Sequence, residues 1–342
     1  MKDEYRAVLI GCGSRAPAHV DCYEQIPGAR VVACCAPSPE RRDALARRYG
    51  IKAYSDPAEM IQSESPHIVH LVTWPNTRVQ LMSVVSKHRV PLCTVEKPIA
   101  TAVSDWKQLV ELEATTSTKF AVCHQFRWQP DLVRCQEAVR SGQIGKPLFL
   151  DMSAGMNIAG QGTHTLNYGR SLIGDPLVKE VFGSAHGWDT SDEAHPGPVE
   201  TEAHLVFENG VRGLWTSGPV SPRCGDPSTV WQHVRAAAYG DRGYALYEEF
   251  GNWAVTGPSG IVGGEYGGPA NHARNNRIAQ AAFHRAMFEW LEGGPAPGTN
   301  LNTSLHEWKV VLALYQSAVD RRPIQMDGFE PADDLVNRFQ GT

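Results

Sequence analysis

The chain has no Cys-x-x-Cys pair, no apolar run of membrane-spanning length and no excess of basic charge. Its eight cysteines, at positions 12, 22, 34, 35, 93, 123, 135 and 224, therefore match neither a zinc-binding nor a dithiol redox pattern. Most fall inside apolar runs, where a free thiol behaves as a small hydrophobe, and they read as reduced and buried. Lysine and arginine total 32 against 37 aspartates and glutamates, a formal charge of -5, so neither nucleic acid nor a membrane surface is an expected partner. A small ligand suits such a surface better. The first residues, MKDEYRAVLIGCG, lack the charged, apolar, small-residue order of a secretory signal, and cytoplasm is the expected location. Internal repeats and low-complexity segments are also missing.

What is present is enough chain, 342 residues with 42% hydrophobic, for two domains. Up to about residue 123, the β-branched runs RAVLI, RVVACC, HIVHLVT, PLCTVE and KFAVC alternate with helical patterns, as in an α/β Rossmann domain with a parallel sheet. Ser38 before Pro39, and Ser104 before Asp105, are candidate helix N-caps. Residues 124–342 read as an α+β domain with a largely antiparallel, open-faced sheet. Its clearest element is ETEAHLVFENGVRGLWTS, two alternating runs joined by Asn209-Gly210, the dipeptide suited to a tight hairpin. Glycine density in GPSGIVGGEYGG, residues 257–268, predicts a mobile loop or lid. Helical patterns cover roughly 276–292 and 302–320.

The segment AVLIGCGSRAPAH sets Gly11, Gly13 and Ala16 as G-x-G-x-x-A after the first strand, with Ser14 and Arg15 inside the turn. Gly11 suits the tight turn, Gly13 lets backbone approach a pyrophosphate, and Ala16 lets helix and strand pack closely. A nicotinamide dinucleotide is the expected cofactor. The second strand ends at Ala36 rather than an acidic residue, so nothing repels a 2′-phosphate, and Ser38, Arg41 and Arg42 follow with groups able to hold one. This favours NADP over NAD, although Ser38 is equally explained as an N-cap and the arginines as a solvated helix face.

VEKPIA, residues 95–100, then sets Glu96, Lys97 and Pro98 at the end of a strand, where α/β sheets place ligands. With the glycine turn, VTWPN at 72–76, HQFRWQP at 124–130, GQIGKP at 142–147, the Gly-x-His of AGQGTHTLNYGR at 159–170 and the closing SLHEWKVVLALYQSAVDRRPIQM, the chain resembles the Gfo/Idh/MocA family of nicotinamide-dependent oxidoreductases. The resemblance implies hydride transfer between NAD(P) and a secondary hydroxyl carbon of a sugar, glycoside or cyclitol. It implies Lys97 and His164 as catalytic residues. Cofactor contacts would come from Thr73, Trp74, Pro75, Asn76, Glu96 and Lys97 besides the glycine turn. Substrate contacts would come from Lys97, His124, Arg127, Trp128, Asn157, His164 and Asn167. It implies a homodimer or homotetramer formed through the second domain.

The family's Asp-x-Gly-x-His-x-x-Asp pattern is not kept: Gly160 and Asn167 stand where acids are usual. Without a carboxylate neighbour a histidine is a weaker base, which makes Lys97 the expected proton acceptor and His164 a partner. Val79 where a histidine is common, and Trp74 where a smaller residue is, point to a reshaped pocket. Two alternatives stay open: a redox-neutral enzyme that oxidises a sugar carbon transiently, and an inactive dinucleotide-binding regulator. Glu200, Glu202 and His204, with His186 and His195 upstream, could ligate a metal, but a period of two is also the exposed face of a strand, and no metal is expected.

Overall fold

A computed structural model describes residues 4–189, 195–222, 229–265 and 268–340. The chain forms two compact units, neither continuous in sequence. The first comprises Met1–Ala100, Asp105–Gln125 and Asn276–Leu305, and the second Thr101–Ser104, Phe126–Asn275 and His306–Thr342. A single boundary at residue 123 is therefore corrected, because the chain returns to the first unit near its end. Two contacts explain the return. The Phe288 ring lies 4.7 Å from that of Tyr5 on the first strand, and the Val122 N–H donates to the Thr299 carbonyl at 2.8 Å. The second contact covers what would otherwise be an open sheet edge.

The first unit contains β1 (Tyr5–Ile10), β2 (Ala29–Cys35), β3 (Lys52–Tyr54), β4 (Ile68–Leu71), β5 (Leu92–Val95) and β6 (Lys119–Val122). All pair in parallel, in the order β3-β2-β1-β4-β5-β6. That is the doubly wound dinucleotide-binding order, in which the direction of winding reverses between β1 and β4. Central strands β4 and β5 are buried throughout, as parallel strands covered on both faces must be. The short edge strand β3 was not legible: three residues, two of them exposed, carry no hydrophobic period. Ser38 does cap its helix, accepting from the Arg41 N–H at 3.4 Å. Ser104 does not begin its helix, which spans Val103–Thr115 and starts one residue earlier.

The second unit holds β7 (Pro147–Ala154), β8 (Val178–His186), β9 (Glu200–Phe207), β10 (Arg212–Ser217), β11 (Val234–Gly240), β12 (Tyr244–Glu248), β13 (Asn252–Gly257), β14 (Gly260–Glu265) and β15 (Ile324–Gln325). They form one nine-stranded sheet, β14-β13-β12-β11-β7-β10-β9-β8-β15, antiparallel except where β10 meets β7. The Asn209-Gly210 turn joins β9 to β10 as the sequence predicts, with Gly210 at φ +85°. One sheet face packs on the helices Pro130–Arg140 and Thr163–Leu172; Met152, Trp215 and Leu205 lie on it. The other presents Phe149, Phe182 and Tyr239 to solvent.

Residues 257–265 are not a lid but the β13–β14 hairpin, while 266 and 267 lie outside the described residues. A Cβ on Gly263 would come within 2.6 Å of the Trp253 carbonyl oxygen, and one on Gly264 within 2.8 Å of the Trp253 indole nitrogen. The glycines there serve close packing against the neighbouring strand. Among the described residues all cysteines are free, Cys12 half-buried and the rest buried; Cys224 lies outside them. No described helix is long and apolar enough to cross a membrane.

His306, on the helix Leu301–Asp320, gives this unit an acid-sensitive anchor. Its Nε2 accepts the Val178 N–H at 3.0 Å at the start of β8. Burial, then the charges of Arg170, Lys309 and Lys179, push its pKa down to about 3. The folded value lies below the unfolded one, so the stabilisation is complete above about pH 6.5 and is lost as pH falls towards 3. Over that window His306→Gln is expected to flatten the stability–pH slope by at most about 1.4 kcal/mol per pH unit, one proton's worth. Urea unfolding at several pH values reads this; an unchanged slope would show that the ring does not titrate with folding.

Candidate functional site

The glycine turn leaves β1 at the point where winding reverses. Gly11 sits at φ +105°, and a Cβ there would lie 2.1 Å from the Val72 carbonyl oxygen, so both backbone angle and space exclude a side chain. Gly13 differs: no protein atom lies within 4 Å of where its Cβ would be. Internal packing does not demand glycine at 13, and the open space is what a ligand lying against the backbone requires. Ala16 is fully buried at the start of the following helix.

A cleft of about 680 Å³ opens beside this turn, bounded by Gly11, Gly13, Ala36, Ser38, Arg41, Thr73, Trp74 and Asn76. Seven of the expected cofactor positions, together with Ala36, thus share one concavity, formed by the carboxyl ends of β1, β2 and β4. Ser14 and Arg15 lie just past the turn outside its lining, and Pro75 is buried behind it. Arg41 is exposed at the cleft wall, whereas Arg42 turns away to Asp43 at 3.0 Å and the Ala36 carbonyl at 3.4 Å. Only one of the two guanidinium groups remains available to a phosphate. Trp74 is 51% exposed at the cleft wall. Space at Gly13 and the absence of a carboxylate at Ala36 fit a nicotinamide dinucleotide.

Glu96 and Lys97 follow β5. Burial alone would raise the Glu96 carboxyl, but the His19 hydrogen bond at 2.8 Å, then the charges of Arg15 at 3.7 Å and of Lys97, hold it well below the usual carboxylate range. It is an anchored anion beside the lysine. Buried Arg78 donates to the Thr73 carbonyl at 3.2 Å and the Lys97 carbonyl at 3.0 Å, so one guanidinium ties the cleft wall to the Glu-Lys-Pro turn. Burial lowers Arg78 to about 9, with Glu96 opposing that fall. Neither His19 nor Arg78 stands out in the sequence: His19 closes the glycine-turn segment and Arg78 follows VTWPN, but the partners of each are brought by other strands. His124, expected as a substrate contact, is buried at the end of β6.

In the second unit His164 opens the helix Thr163–Leu172 and is 4% exposed, its ring 4.7 Å from that of Phe126. Asn157 caps the preceding turn, accepting from the Gly160 N–H at 2.7 Å and donating to the His195 carbonyl at 2.9 Å. A Cβ on Gly160 would sit 3.1 Å from that same Asn157 oxygen, tighter than most contacts, so an acid at 160 would disturb the cap. Asn167 is fully buried, donating to both oxygens of Glu307 at 3.0 and 3.2 Å. Arg170 binds the same carboxylate at 2.6 Å. Burial, opposed by Arg170 and Asn167, lifts Glu307 to about 7.

A carboxyl group therefore does stand one helical turn beyond His164, brought from a helix 140 residues further on. Arg127 is committed to Asp175, with a further bond to the Asn167 carbonyl at 3.3 Å, and Trp128 is half-buried beside it. Glu200, Glu202 and His204 stand on the face of β9 opposite the helices, and no three-ligand cluster among the described residues includes them.

Residues 5–124 match the family model described as "Oxidoreductase family, NAD-binding Rossmann fold". A D-apiose dehydrogenase of Paraburkholderia graminis is 28% identical over 229 residues, 61% of this chain and 59% of that protein. An inositol 2-dehydrogenase of Rubrobacter xylanophilus is 29% identical over 144 residues, 41% of each chain. The chain thus spans about half the length of the curated relatives it matches. An oxidoreductase from Agrobacterium radiobacter, solved with NAD+, L-tartaric acid and magnesium, superposes with a TM-score of 0.81 at 21% identity, over 95% of this chain and 99% of that one. This shares the fold across both units. Residues 5–124, with their glycine turn and doubly wound parallel sheet, are thus similar to the NAD-binding Rossmann domain of the Gfo/Idh/MocA oxidoreductases.

Proposed function

We propose that the protein is an NAD(P)-dependent oxidoreductase that removes hydride from the carbon bearing a secondary hydroxyl in a sugar, glycoside or cyclitol. The observation that supports this is the Arg78 bridge, which ties the Lys97 backbone carbonyl to that of Thr73 in the wall of a cleft left open at Gly13. The relatives named for apiose and inositol oxidation support the substrate class. A bound nicotinamide supplies the hydride acceptor; the protein must manage the proton. Hydride can leave carbon only as its hydroxyl loses that proton, and Lys97 is the candidate acceptor. Glu96, held ionised by His19 and Arg15, orients the turn that carries it. His164 is proposed as a substrate contact, supported by the Gly-x-His motif. Open space at Gly13 also makes room for either cofactor, and Arg41 with Ala36 favours NADP. The solvent-facing side of the nine-stranded sheet is the proposed surface for self-association, and its exposed Phe149, Phe182 and Tyr239 support that role.

Gly13→Val is expected to abolish NAD and NADP binding in calorimetry while leaving the melting temperature nearly unchanged, since nothing in the protein opposes the new side chain. Undiminished binding would remove the cofactor assignment. In the same titrations the unmodified protein is expected to hold NADP at least as tightly as NAD. Ala36→Asp should shift preference towards NAD by adding an acceptor for ribose hydroxyls and repelling a 2′-phosphate; a strong NAD preference in the unmodified protein would refute the arginine reading.

Lys97→Met should bind cofactor normally yet turn over about 10²–10⁴-fold more slowly, the usual worth of a positioned acid–base group. His164→Ala should act mainly on KM. Steady-state kinetics on any sugar or cyclitol that the protein oxidises would expose the reverse pattern, which would make the histidine the base.

A further inference from the structure

Behind the cofactor cleft, wholly inside the first unit, three histidines meet from elements far apart in the sequence: His19 from the helix Ala16–Asp21, His70 from β4 and His284 from the helix Pro269–Leu291. All are buried, at 1%, 0% and 0% exposure. Their ring centroids stand 4.5 Å apart for His70 and His284, 5.7 Å for His19 and His70, and 5.6 Å for His19 and His284. Each ring offers one nitrogen within 4.8 Å of those of the other two. A core needing only apolar volume has no use for three imidazoles at this spacing.

We infer that His19, His70 and His284 bind one divalent transition-metal ion of the zinc class. The partners behind each ring support this. A metal-bound histidine characteristically gives its second N–H to a carboxylate or another oxygen, which fixes the ring and raises its basicity. His19 Nε2 bonds Glu96 at 2.8 Å, and His70 Nδ1 bonds the Thr94 hydroxyl at 2.6 Å. His284 Nε2 meets the Gln280 amide at 3.2 Å, and a half-turn of that amide lets it accept the N–H. The opposite nitrogens, Nδ1 of His19 and of His284, are buried with no hydrogen-bond partner.

Glu96 and Cys123 also lie near His19, but Glu96 is already engaged by His19 and Arg15, the position of an outer partner. The fourth position would be left to a water oxygen, and the Tyr23 hydroxyl, which bonds His70 Nε2 at 2.7 Å, must turn to release that nitrogen's lone pair. Three imidazoles and one oxygen are a tetrahedral zinc set, softer than magnesium or calcium accepts. An ion there would lock the returning helix to the parallel sheet and set His19 against Glu96, the neighbour of Lys97.

The test uses the full chain, stripped with EDTA and dialysed against zinc chloride, with metal content read by mass spectrometry. One zinc per chain is expected, with a raised melting temperature. Cobalt in its place should give the strong visible absorption of four-coordinate cobalt with nitrogen ligands. His284→Gln should weaken zinc binding at least tenfold, whereas His204→Gln, on an exposed strand face, should leave it unchanged. Because buried variants can misfold, the cobalt spectrum of the unmodified protein decides independently: no bound metal, an octahedral spectrum, or binding untouched by His284→Gln in a folded variant would each overturn the site. No cofactor is present in these measurements, so their failure would leave the oxidoreductase reading standing.

Discussion

Everything in the first unit hangs on one close approach, that of the β1 turn to the Val72 carbonyl after β4. With 2.1 Å from a virtual Cβ to that oxygen, only glycine at position 11 lets the two central strands end side by side. Winding reverses between them, so the turn opens into the crevice where a doubly wound sheet leaves room for a ligand. Two residues further on, Gly13 is free of any such contact. The two glycines of one motif thus differ: the first is required by the fold, whereas no protein contact requires the second.

The chemistry beside that crevice is arranged by charges buried from behind. Arg78 has lost nearly all contact with water, yet reaches two backbone carbonyls, one on the cleft wall and one on Lys97. Glu96 stays ionised in spite of its burial because His19, Arg15 and Lys97 outweigh the loss of solvent. In the second unit the ion pair of Arg170 with Glu307 plays a comparable part. Removing one member of a buried pair of this kind costs about 3–5 kcal/mol, since the other is left uncompensated. The helix Thr163–Leu172, which carries His164, is therefore tied firmly to the helix Leu301–Asp320.

Local signals in the sequence were enough for the parallel strands, the glycine turn, the Ser38 cap and the Asn209-Gly210 hairpin, because each depends on neighbours within a few residues. The cleft positions from Gly11 to Asn76 were legible for the same reason, being strand ends with a motif around them. What stayed hidden came from distance. Glu307 reaches Asn167, one of the two positions that lack the acid, from 140 residues away, and no spacing rule could find it. His284 joins His19 and His70 only because the chain returns to the first unit after residue 275, a return that composition does not mark. Glycine density misled at β14, where small residues serve packing on Trp253 rather than motion. Arg42 looked equivalent to Arg41 in a helical pattern but differs in binding Asp43 and the Ala36 carbonyl, whereas Arg41 is exposed.

The most direct measurement of hydride transfer is isotopic. Sugars and cyclitols carrying deuterium on their hydroxyl-bearing carbons, incubated with the protein and oxidised NAD or NADP, should yield reduced cofactor with the label on the nicotinamide ring. Released, deuterated cofactor is the expected result. A label that stays on the sugar, or leaves and returns to it with no reduced cofactor set free, would contradict a net oxidoreductase.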